Sequence, residues 1–214
     1  MSGFSIIIPV YNEESILERS VRRLIRKLQR VGYSQFEILL AENGSSDRTP
    51  EICRHLSQEY TFVKTFQLGF LSFGGAIKLA AKHVRYDAIV LFNADWMDLY
   101  FLRRSLQFLD RYSIVVGSKS LNLNYDQRPF FRKYLSVCLT VILKLLFQFR
   151  GSDSHGLKTL RLSDVDNILR SCICKEALES ELLIRAQRLN LTIHEIPIRT
   201  SEIRPARRSV LLRA

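Results

Sequence analysis

Short apolar runs alternate with helical patterns along most of the chain, and this alternation constrains the fold more than any other feature. Runs such as FSIIIPV at residues 4–10 are typical of buried strands. Between these runs, apolar residues recur at helical spacing. The alternation predicts one α/β domain over residues 1–214, with a mainly parallel sheet flanked by helices. The predicted strands are residues 4–10, 36–41, 62–66, 88–92, 113–117 and 193–198, and the predicted helices 13–30, 49–60, 76–84 and 131–149.

The composition is that of a globular protein. The 214 residues suit one domain of fair size, and 47% hydrophobic with 25% charged residues excludes disorder, collagen and coiled coil. Four cysteines do not make a disulfide scaffold in a chain of this length, and their spacing does not suggest a zinc site. The sequence does not open with a signal-peptide pattern. We therefore expect a protein of the reducing cytoplasm.

The positive charge is concentrated in the second half of the chain. The formal net charge is +11, from 32 Lys and Arg against 21 Asp and Glu. Residues 1–99 carry 12 basic and 11 acidic side chains, whereas residues 100–214 carry 20 and 10. Such a surplus indicates an anionic partner, which is a nucleic acid, a membrane surface or a set of phosphate groups.

Polar loops follow three of the predicted strands, at the edge where parallel α/β sheets bind their ligands. The loops are residues 9–14, 42–49 and 93–98. Taken singly, each suits an ordinary turn or helix cap. Together, at equivalent ends of neighbouring strands, they predict a binding site. A carboxylate after a buried strand, such as Asp95, can hold a divalent cation against a ligand's phosphates, or can instead cap the next helix.

A series of short motifs runs in order from residue 4 to residue 209. In chain order they are IPVYNEE, ENGSSDRT, SFGGAIKLA, LFNADW, VVGSK, SDSHGLK, ESELLIRA and EIPIR, followed by residues 204–209. This ordered set resembles the family 2 inverting glycosyltransferases, in particular their dolichyl-phosphate mannosyltransferase-like branch. The resemblance implies a GT-A (Rossmann-like) fold. It also implies transfer of a mannose- or glucose-type sugar from a GDP- or UDP-sugar to a polyprenyl or dolichyl phosphate, with inversion.

The resemblance implies that residues 1–99 bind the nucleotide-diphosphate sugar. By this similarity Pro9, Tyr11 and Glu13 would line the pocket for base and ribose. Glu42 would stand where the family has an aspartate that accepts a hydrogen bond from the base, and a glutamate keeps this acceptor chemistry with a longer reach.

Residues on later motifs are implied to hold the diphosphate. Asn93 and Asp95 fall on the family's metal motif, which implies Mg²⁺ or Mn²⁺ as cofactor. Lys158 falls on a lysine that faces the donor, and Arg204 and Ser209 keep the spacing of a loop that closes over the diphosphate. Asp95 and Lys158 are thus candidate catalytic residues.

Several positions depart from the family pattern. Asn93 and Asn43 replace aspartates, and alignment of the SDSHGLK motif places Ser152, not Asp153, on the family aspartate. An amide oxygen ligates Mg²⁺ or Mn²⁺ without bringing charge, and Asp98 is a candidate to compensate. These departures leave an alternative interpretation open. In it, the chain is a catalytically weak or inactive subunit that binds a nucleotide sugar and associates with a membrane protein.

Residues 131–149 predict an amphipathic helix that lies in a membrane interface. The uncharged run is too short for a span of ~20 residues. Polar residues recur every four positions and apolar residues fill the rest, which predicts a broad apolar side in lipid and a narrow polar side on the protein. A core helix with a solvated stripe is the alternative. The polar stripe consists of Arg132, Ser136, Thr140, Lys144 and Gln148.

Residues 100–214 are accordingly predicted to bind the acceptor. Arg132 and Ser136 match an Arg and a Ser four apart that bind the acceptor phosphate in the resembling family, and this spacing places them on one helix face. Lys119 replaces a family arginine and adds a point charge. With a second pKa near ~6, a lipid monophosphate is already a dianionic nucleophile, so catalysis needs positioning and electrostatics and no general base. Arg132 is thereby a third candidate catalytic residue.

The charge surplus thus lies on and after the predicted interfacial helix. There it meets the membrane surface and the phosphates of both substrates. The basic residues are not interleaved with an exposed aromatic platform, so we expect no nucleic-acid partner. The sequence predicts a peripheral enzyme on the cytoplasmic face of a membrane.

Overall fold

Seven strands form one sheet with helices on both faces. The computed structural model describes residues 3–121 and 130–199, apart from the side chain of Arg132. The strands are β1 (Phe4–Val10), β2 (Phe36–Asn43), β3 (Val63–Leu68), β4 (Ala88–Leu91), β5 (Ile114–Ser118), β6 (Lys158–Arg161) and β7 (Ile193–Pro197). The helices are α1 (Leu17–Val31), α2 (Thr49–Glu59), α3 (Phe73–Ala81), α4 (Leu99–Phe108), α5 (Phe130–Phe147), α6 (Leu162–Ser171) and α7 (Leu178–Arg188).

The strand order is β3-β2-β1-β4-β6-β5-β7. Neighbouring strands pair in parallel, except that β6 runs antiparallel between β4 and β5. Because β6 is reversed, its first residue, Lys158, lies at the edge where the other strands end. The predicted α/β fold with a mainly parallel sheet is confirmed, whereas β6 itself was not predicted.

The sheet separates two hydrophobic cores. Ile6 and Ile8 of β1 pack on the side of α1, α2 and α4, and Ile7 packs on the side of α3, α6 and α7. All three side chains are fully buried. A central strand covered on both faces is apolar at most positions, which is why β1 is a nearly continuous apolar run in the sequence.

Two helices begin at other residues than the sequence predicted. Helix α1 begins at Leu17 rather than at residue 13, because Asn12 has a left-handed backbone (φ 52°) and the Glu13 carbonyl closes a turn with the N–H groups of Ile16 and Leu17. Helix α3 begins at Phe73 rather than at residue 76. Its N-cap is Ser72, whose Oγ accepts a hydrogen bond from the N–H of Gly75 at 3.1 Å.

Most of the described side chains of helix α5 are exposed. Leu143 is its only buried side chain among those that the structure describes, while Ser136 and Thr140 are half-buried. The polar stripe therefore turns toward the protein at these two positions, as predicted, but Lys144 of the stripe is exposed. None of the helices in residues 3–121 and 130–199 has the length and apolar character needed to span a membrane. The large apolar side chains that α5 exposes are Phe130, Phe131, Tyr134, Leu135, Val137, Leu139, Val141, Ile142, Leu145, Leu146 and Phe147.

Candidate active site

The loops after β1 and β2 are tied to each other by hydrogen bonds. The N–H of Asn12 donates to Ser45 Oγ at 3.0 Å, and Asn12 Oδ1 accepts from the N–H of Ser46 at 2.8 Å. Further along, the N–H of Glu14 donates to Asp47 Oδ2 at 3.2 Å. These bonds join two segments that are more than 30 residues apart in the sequence into one surface at the carboxyl edge of the sheet.

Asp47 also caps α2. Its Oδ1 accepts a hydrogen bond from the N–H of Thr49 at 2.9 Å. Burial raises the pKa of the Asp47 carboxyl, but the hydrogen bonds from Thr49 and Glu14 outweigh burial and hold this pKa below its usual value. Asp47 thereby supports the start of α2 from one residue before the N-cap, Arg48.

Glu42 and Asn43 end β2 and point to opposite faces of the sheet. Glu42 Oε1 accepts a hydrogen bond from the N–H of Ser45 at 2.6 Å, whereas Oε2 is buried without a hydrogen-bond partner among the described residues. Asn43 Oδ1 accepts from the N–H of Ser72 at 2.5 Å. Asn43 therefore braces the start of α3, a role that the sequence did not reveal.

The other residues of the predicted base pocket lie beside Glu42. Pro9 pairs with Ala41 in the β1–β2 register. Tyr11 is half-buried, and the buried Glu13 donates its N–H to Thr49 Oγ1 at 2.7 Å. The structure therefore brings Pro9, Tyr11, Glu13 and Glu42 to one end of two adjacent strands.

The loop after β4 carries the predicted metal ligands. Buried Phe92 and Ala94 anchor the loop, Asn93 is exposed and Asp95 is half-buried. Asp98 Oδ1 accepts hydrogen bonds from the N–H groups of Tyr100 and Phe101, at 2.7 and 3.1 Å, and so caps α4. The idea that Asp98 supplies the carboxylate that the metal motif lacks at Asn93 therefore gains no support, because Asp98 Oδ1 already accepts hydrogen bonds from the start of α4.

The donor set of this loop suits a hard cation. A carboxylate and an amide oxygen match Mg²⁺ or Mn²⁺, which complete their coordination with phosphate oxygens and water. Across residues 3–121 and 130–199, no three His, Cys, Asp or Glu side chains group in a way that would hold a metal without such a ligand. Asp95 and Asn93 thus fit a metal that arrives together with a diphosphate.

Lys119 follows β5 and connects two loops of the site. Its Nζ lies 3.3 Å from Asp153 Oδ2 and donates to the carbonyl of His155 at 3.2 Å. The same ammonium lies 5.7 Å from the ring centroid of Trp96, in the loop after β4. Burial raises the pKa of the Asp153 carboxyl, but Lys119 and the N–H donors of His155 and Lys119 hold this pKa below its usual range.

Lys158 is fully buried at the start of β6. Its Nζ donates to the carbonyl of Gly156 at 2.8 Å and to Glu179 Oε1 at 2.7 Å. Glu179 lies in the first turn of α7. The sequence placed Lys158 against the donor without revealing that Glu179 neutralises it.

Ser152, on the position of the family aspartate, is held by Glu195 of β7. The N–H of Ser152 donates to Glu195 Oε1 at 2.8 Å, and its Oγ donates to Oε2 at 2.7 Å. Because a carboxylate only accepts, the Oγ of Ser118 must donate to Ser152 Oγ across their 2.7 Å separation. This chain fixes the segment before β6 to both β5 and β7.

Most of the remaining predicted site residues lie outside the part of the chain that the structure describes. Ser136 is half-buried on α5. The side chain of Arg132, and all of Arg204 and Ser209, lie outside the described residues.

Comparison with known sequences identifies relatives over nearly the whole chain. The sequence model of glycosyl transferase family 2 matches residues 5–211. A dolichyl-phosphate beta-glucosyltransferase of Trichomonas vaginalis is 25% identical over 219 residues, which cover 93% of this chain and 66% of that protein. Glycosyltransferase AglD of Haloferax volcanii is 26% identical over 91% of this chain and 32% of its own length. The chain thus spans just under two thirds, or less, of these curated relatives.

Solved structures share the fold. Glucosyl-3-phosphoglycerate synthase from Mycobacterium tuberculosis, solved with Mn²⁺, UDP and glucosyl-3-phosphoglycerate, has a TM-score of 0.68 at 18% identity and covers 95% of this chain and 73% of its own. A mannosyltransferase from Pyrobaculum calidifontis, solved with GDP-Man and Mn²⁺, has a TM-score of 0.69 at 17% identity over 97% of this chain and 58% of its own. Both comparisons support the predicted GT-A fold.

Proposed function

Because the chain belongs to glycosyl transferase family 2, we propose that it transfers a glucose- or mannose-type sugar from a GDP- or UDP-sugar to a polyprenyl or dolichyl phosphate, with inversion. One observation carries the proposal. The chain combines polar loops at the carboxyl edge of a parallel sheet with a helix, α5, that exposes apolar side chains along its length. The first feature suits a nucleotide sugar and the second a lipid-linked acceptor. The Trichomonas vaginalis relative, named for dolichyl phosphate, points to the same acceptor class.

The donor lies, in this proposal, across the ends of β1, β2 and β4. Pro9, Tyr11 and Glu13 line the side of base and ribose. Glu42 supports this placement because its Oε2 is a buried acceptor without a partner among the described residues. A base N–H that reached this oxygen would satisfy it.

The diphosphate lies near the loop after β4. Asp95 and Asn93 would hold Mg²⁺ or Mn²⁺, which would supply positive charge against the leaving nucleoside diphosphate. By the family resemblance, Lys158, Arg204 and Ser209 would bind the diphosphate as well. Both solved relatives described above contain Mn²⁺, which supports use of a divalent cation.

The acceptor phosphate is held by Arg132, Ser136 and Lys119. As a dianion it attacks the sugar C1 directly, since its second pKa lies near ~6. The chain's residues orient the attacking phosphate oxygen in line with the bond between C1 and the diphosphate. They also stabilise the negative charge that develops on the leaving diphosphate. Inversion at C1 follows from a single in-line displacement.

Replacement of Arg132 with alanine tests the acceptor assignment. We expect the acceptor KM to rise at least about tenfold, because a charge-assisted hydrogen bond contributes about 1.5–3 kcal/mol. The affinity for the nucleotide, measured by calorimetry, should stay near normal. Arg150→Ala removes an exposed cation just beyond α5 and is the matched control. Equal loss of acceptor and nucleotide binding would contradict the assignment.

We propose that α5 holds the protein on the cytoplasmic face of a membrane. Phe130, Phe131, Leu145 and Leu146 are exposed by 83%, 67%, 77% and 70%. Burial of such side chains in lipid contributes about 1.5–3 kcal/mol each. All four cysteines are free, which suits the reducing cytoplasm.

An acidic side chain introduced on the apolar surface of α5 tests whether this helix binds the membrane. Leu145→Asp should reduce binding to phosphatidylcholine–phosphatidylserine vesicles at least about tenfold in a flotation assay. Ile173→Asp, which alters a side chain 80% exposed between α6 and α7, should leave vesicle binding unchanged. Unaltered binding of Leu145→Asp would instead assign the apolar surface of α5 to another contact, such as a membrane-protein partner.

Incubation with vesicles that contain polyprenyl phosphate tests the function itself. We expect label from one of a panel of labelled GDP- and UDP-sugars to enter the lipid phase in the presence of Mn²⁺. Nucleotide binding without any lipid-phase label would favour the alternative, a donor-binding subunit that serves a membrane-protein partner. The replacement of the first metal-motif aspartate by Asn93 is the observation behind that alternative.

A further inference from the structure

Two buried lysines donate to consecutive carbonyl groups of one loop. Lys119 Nζ donates to the carbonyl of His155 at 3.2 Å, and Lys158 Nζ donates to the carbonyl of Gly156 at 2.8 Å. The lysines come from different strands, because Lys119 follows β5 and Lys158 begins β6. The loop of residues 151–156, which we call the lysine loop, therefore accepts hydrogen bonds from two ammonium groups at two adjacent carbonyl groups.

Each ammonium has its own carboxylate. Asp153 Oδ2 lies 3.3 Å from Lys119 Nζ, and Glu179 Oε1 lies 2.7 Å from Lys158 Nζ. The side chains of the first pair are 8% and 7% exposed, and those of the second 0% and 15%. Loss of one carboxylate would leave a buried charge uncompensated, so each acid fixes the position of its lysine.

The two acids lie on different elements. Asp153 is part of the lysine loop itself and also accepts the main-chain N–H groups of Lys119 and His155, at 3.1 and 2.9 Å. Glu179 reaches Lys158 from the first turn of α7. The two ion pairs therefore share no carboxylate in a direct contact, although the charge of Lys158 also acts on the Asp153 carboxyl.

The base of the lysine loop is rigid. Glu195 holds Ser152 through two hydrogen bonds, and the N–H of Gly117 donates to the carbonyl of Leu157 at 2.7 Å.

We propose that Asp153 and Glu179 are positioning residues for different substrates. Asp153 acts through Lys119 on the acceptor phosphate, and Glu179 acts through Lys158 on the donor diphosphate. This inference rests on the proposed function and adds to it roles for two acids, Asp153 in SDSHGLK and Glu179 in ESELLIRA, to which the resemblance assigned none. Lys119 stands where the chain leaves β5 toward α5, whereas Lys158 lies at the sheet edge that holds the donor loops.

Separate Michaelis constants for the two substrates test the inference. Asp153→Asn should raise the KM for polyprenyl phosphate about tenfold and leave the KM for the nucleotide sugar within about twofold. Glu179→Gln should show the reverse pattern. A merely structural role would change both constants in both variants, so crossed selectivity supports the inference and its absence overturns it.

Controls separate this inference from folding and from the proposed function. Glu59→Gln weakens the ion pair with Arg22 on the α1–α2 surface and should change neither KM. Should Glu179→Gln fail to fold, the double variant Lys158→Met with Glu179→Leu replaces the buried pair by apolar side chains. That variant should fold and still show the raised donor KM, and an unchanged donor KM overturns the role of Lys158, through which Glu179 is proposed to act. Wild-type protein without any transfer contradicts the proposed function instead.

Discussion

Replacement of Gly156 with alanine should lower the free energy of unfolding by about 3 kcal/mol or more. A Cβ atom at this position would lie 1.7 Å from the carbonyl oxygen of Gly117 and 2.9 Å from its carbonyl carbon. Both atoms belong to the backbone of β5, which cannot rotate away as a side chain can. To accept the methyl group, the lysine loop must separate from β5, and the contacts of Lys119 with Asp153 and His155 are then lost. Urea denaturation followed by circular dichroism measures this change.

Gly69→Ala is the matched control for Gly156→Ala. A Cβ atom at Gly69 would meet nothing within 4 Å, although Gly69 also lies in a loop at the carboxyl edge. The urea midpoint of this variant should equal that of the wild type within error. A wild-type midpoint for Gly156→Ala would show that the two backbones are not in close contact, and the positions of both lysines would then need revision.

Asp95→Ala should reduce sugar transfer at least about 100-fold, which is the scale of removing one electrostatic contact to developing charge. Asp95 is the only carboxylate of the Asn93–Asp95 pair, so its loss leaves an amide oxygen alone to hold the cation. Nucleotide-diphosphate affinity should become insensitive to Mn²⁺ in the variant. Calorimetry with and without EDTA, together with initial rates of lipid labelling, measures both effects.

Asp98→Asn controls for the loss of a nearby carboxylate. Asn is as good an N-cap as Asp, so α4 should stay intact and transfer should stay near the wild-type rate. Wild-type transfer that is indifferent to EDTA would show that this chain works without a metal. A full rate for Asp95→Ala would remove Asp95 from the catalytic residues.

The sequence predicted the central strands well, because β1 and β2 are covered on both faces and consist mostly of apolar residues. It did not predict β6, whose four residues KTLR are charged at both ends. Lys158 is buried there only because Glu179, 21 residues further on, neutralises it. A tertiary contact of this kind leaves no periodic pattern in the sequence.

The position of several candidate site residues at the ends of the strands was predictable, whereas several contacts of these residues were not. Glu42, Asn93 and Asp95 lie at the carboxyl edge, as the strand–loop pattern indicated. Asn43 Oδ1, however, accepts a hydrogen bond from the N–H of Ser72 at the start of α3. Such roles depend on which helix start comes close in the folded chain, and sequence spacing does not contain that information.

The hydrogen bonds between the loops after β1 and β2 have a consequence for how the donor binds. Asn12, Ser45, Glu14 and Asp47 fix these loops to each other before any ligand arrives. Donor binding therefore has little backbone entropy to lose in this part of the site, and more of the contact energy remains as affinity. By this reasoning the ends of β1 and β2, where we propose that the nucleotide binds, are preorganised for a ligand.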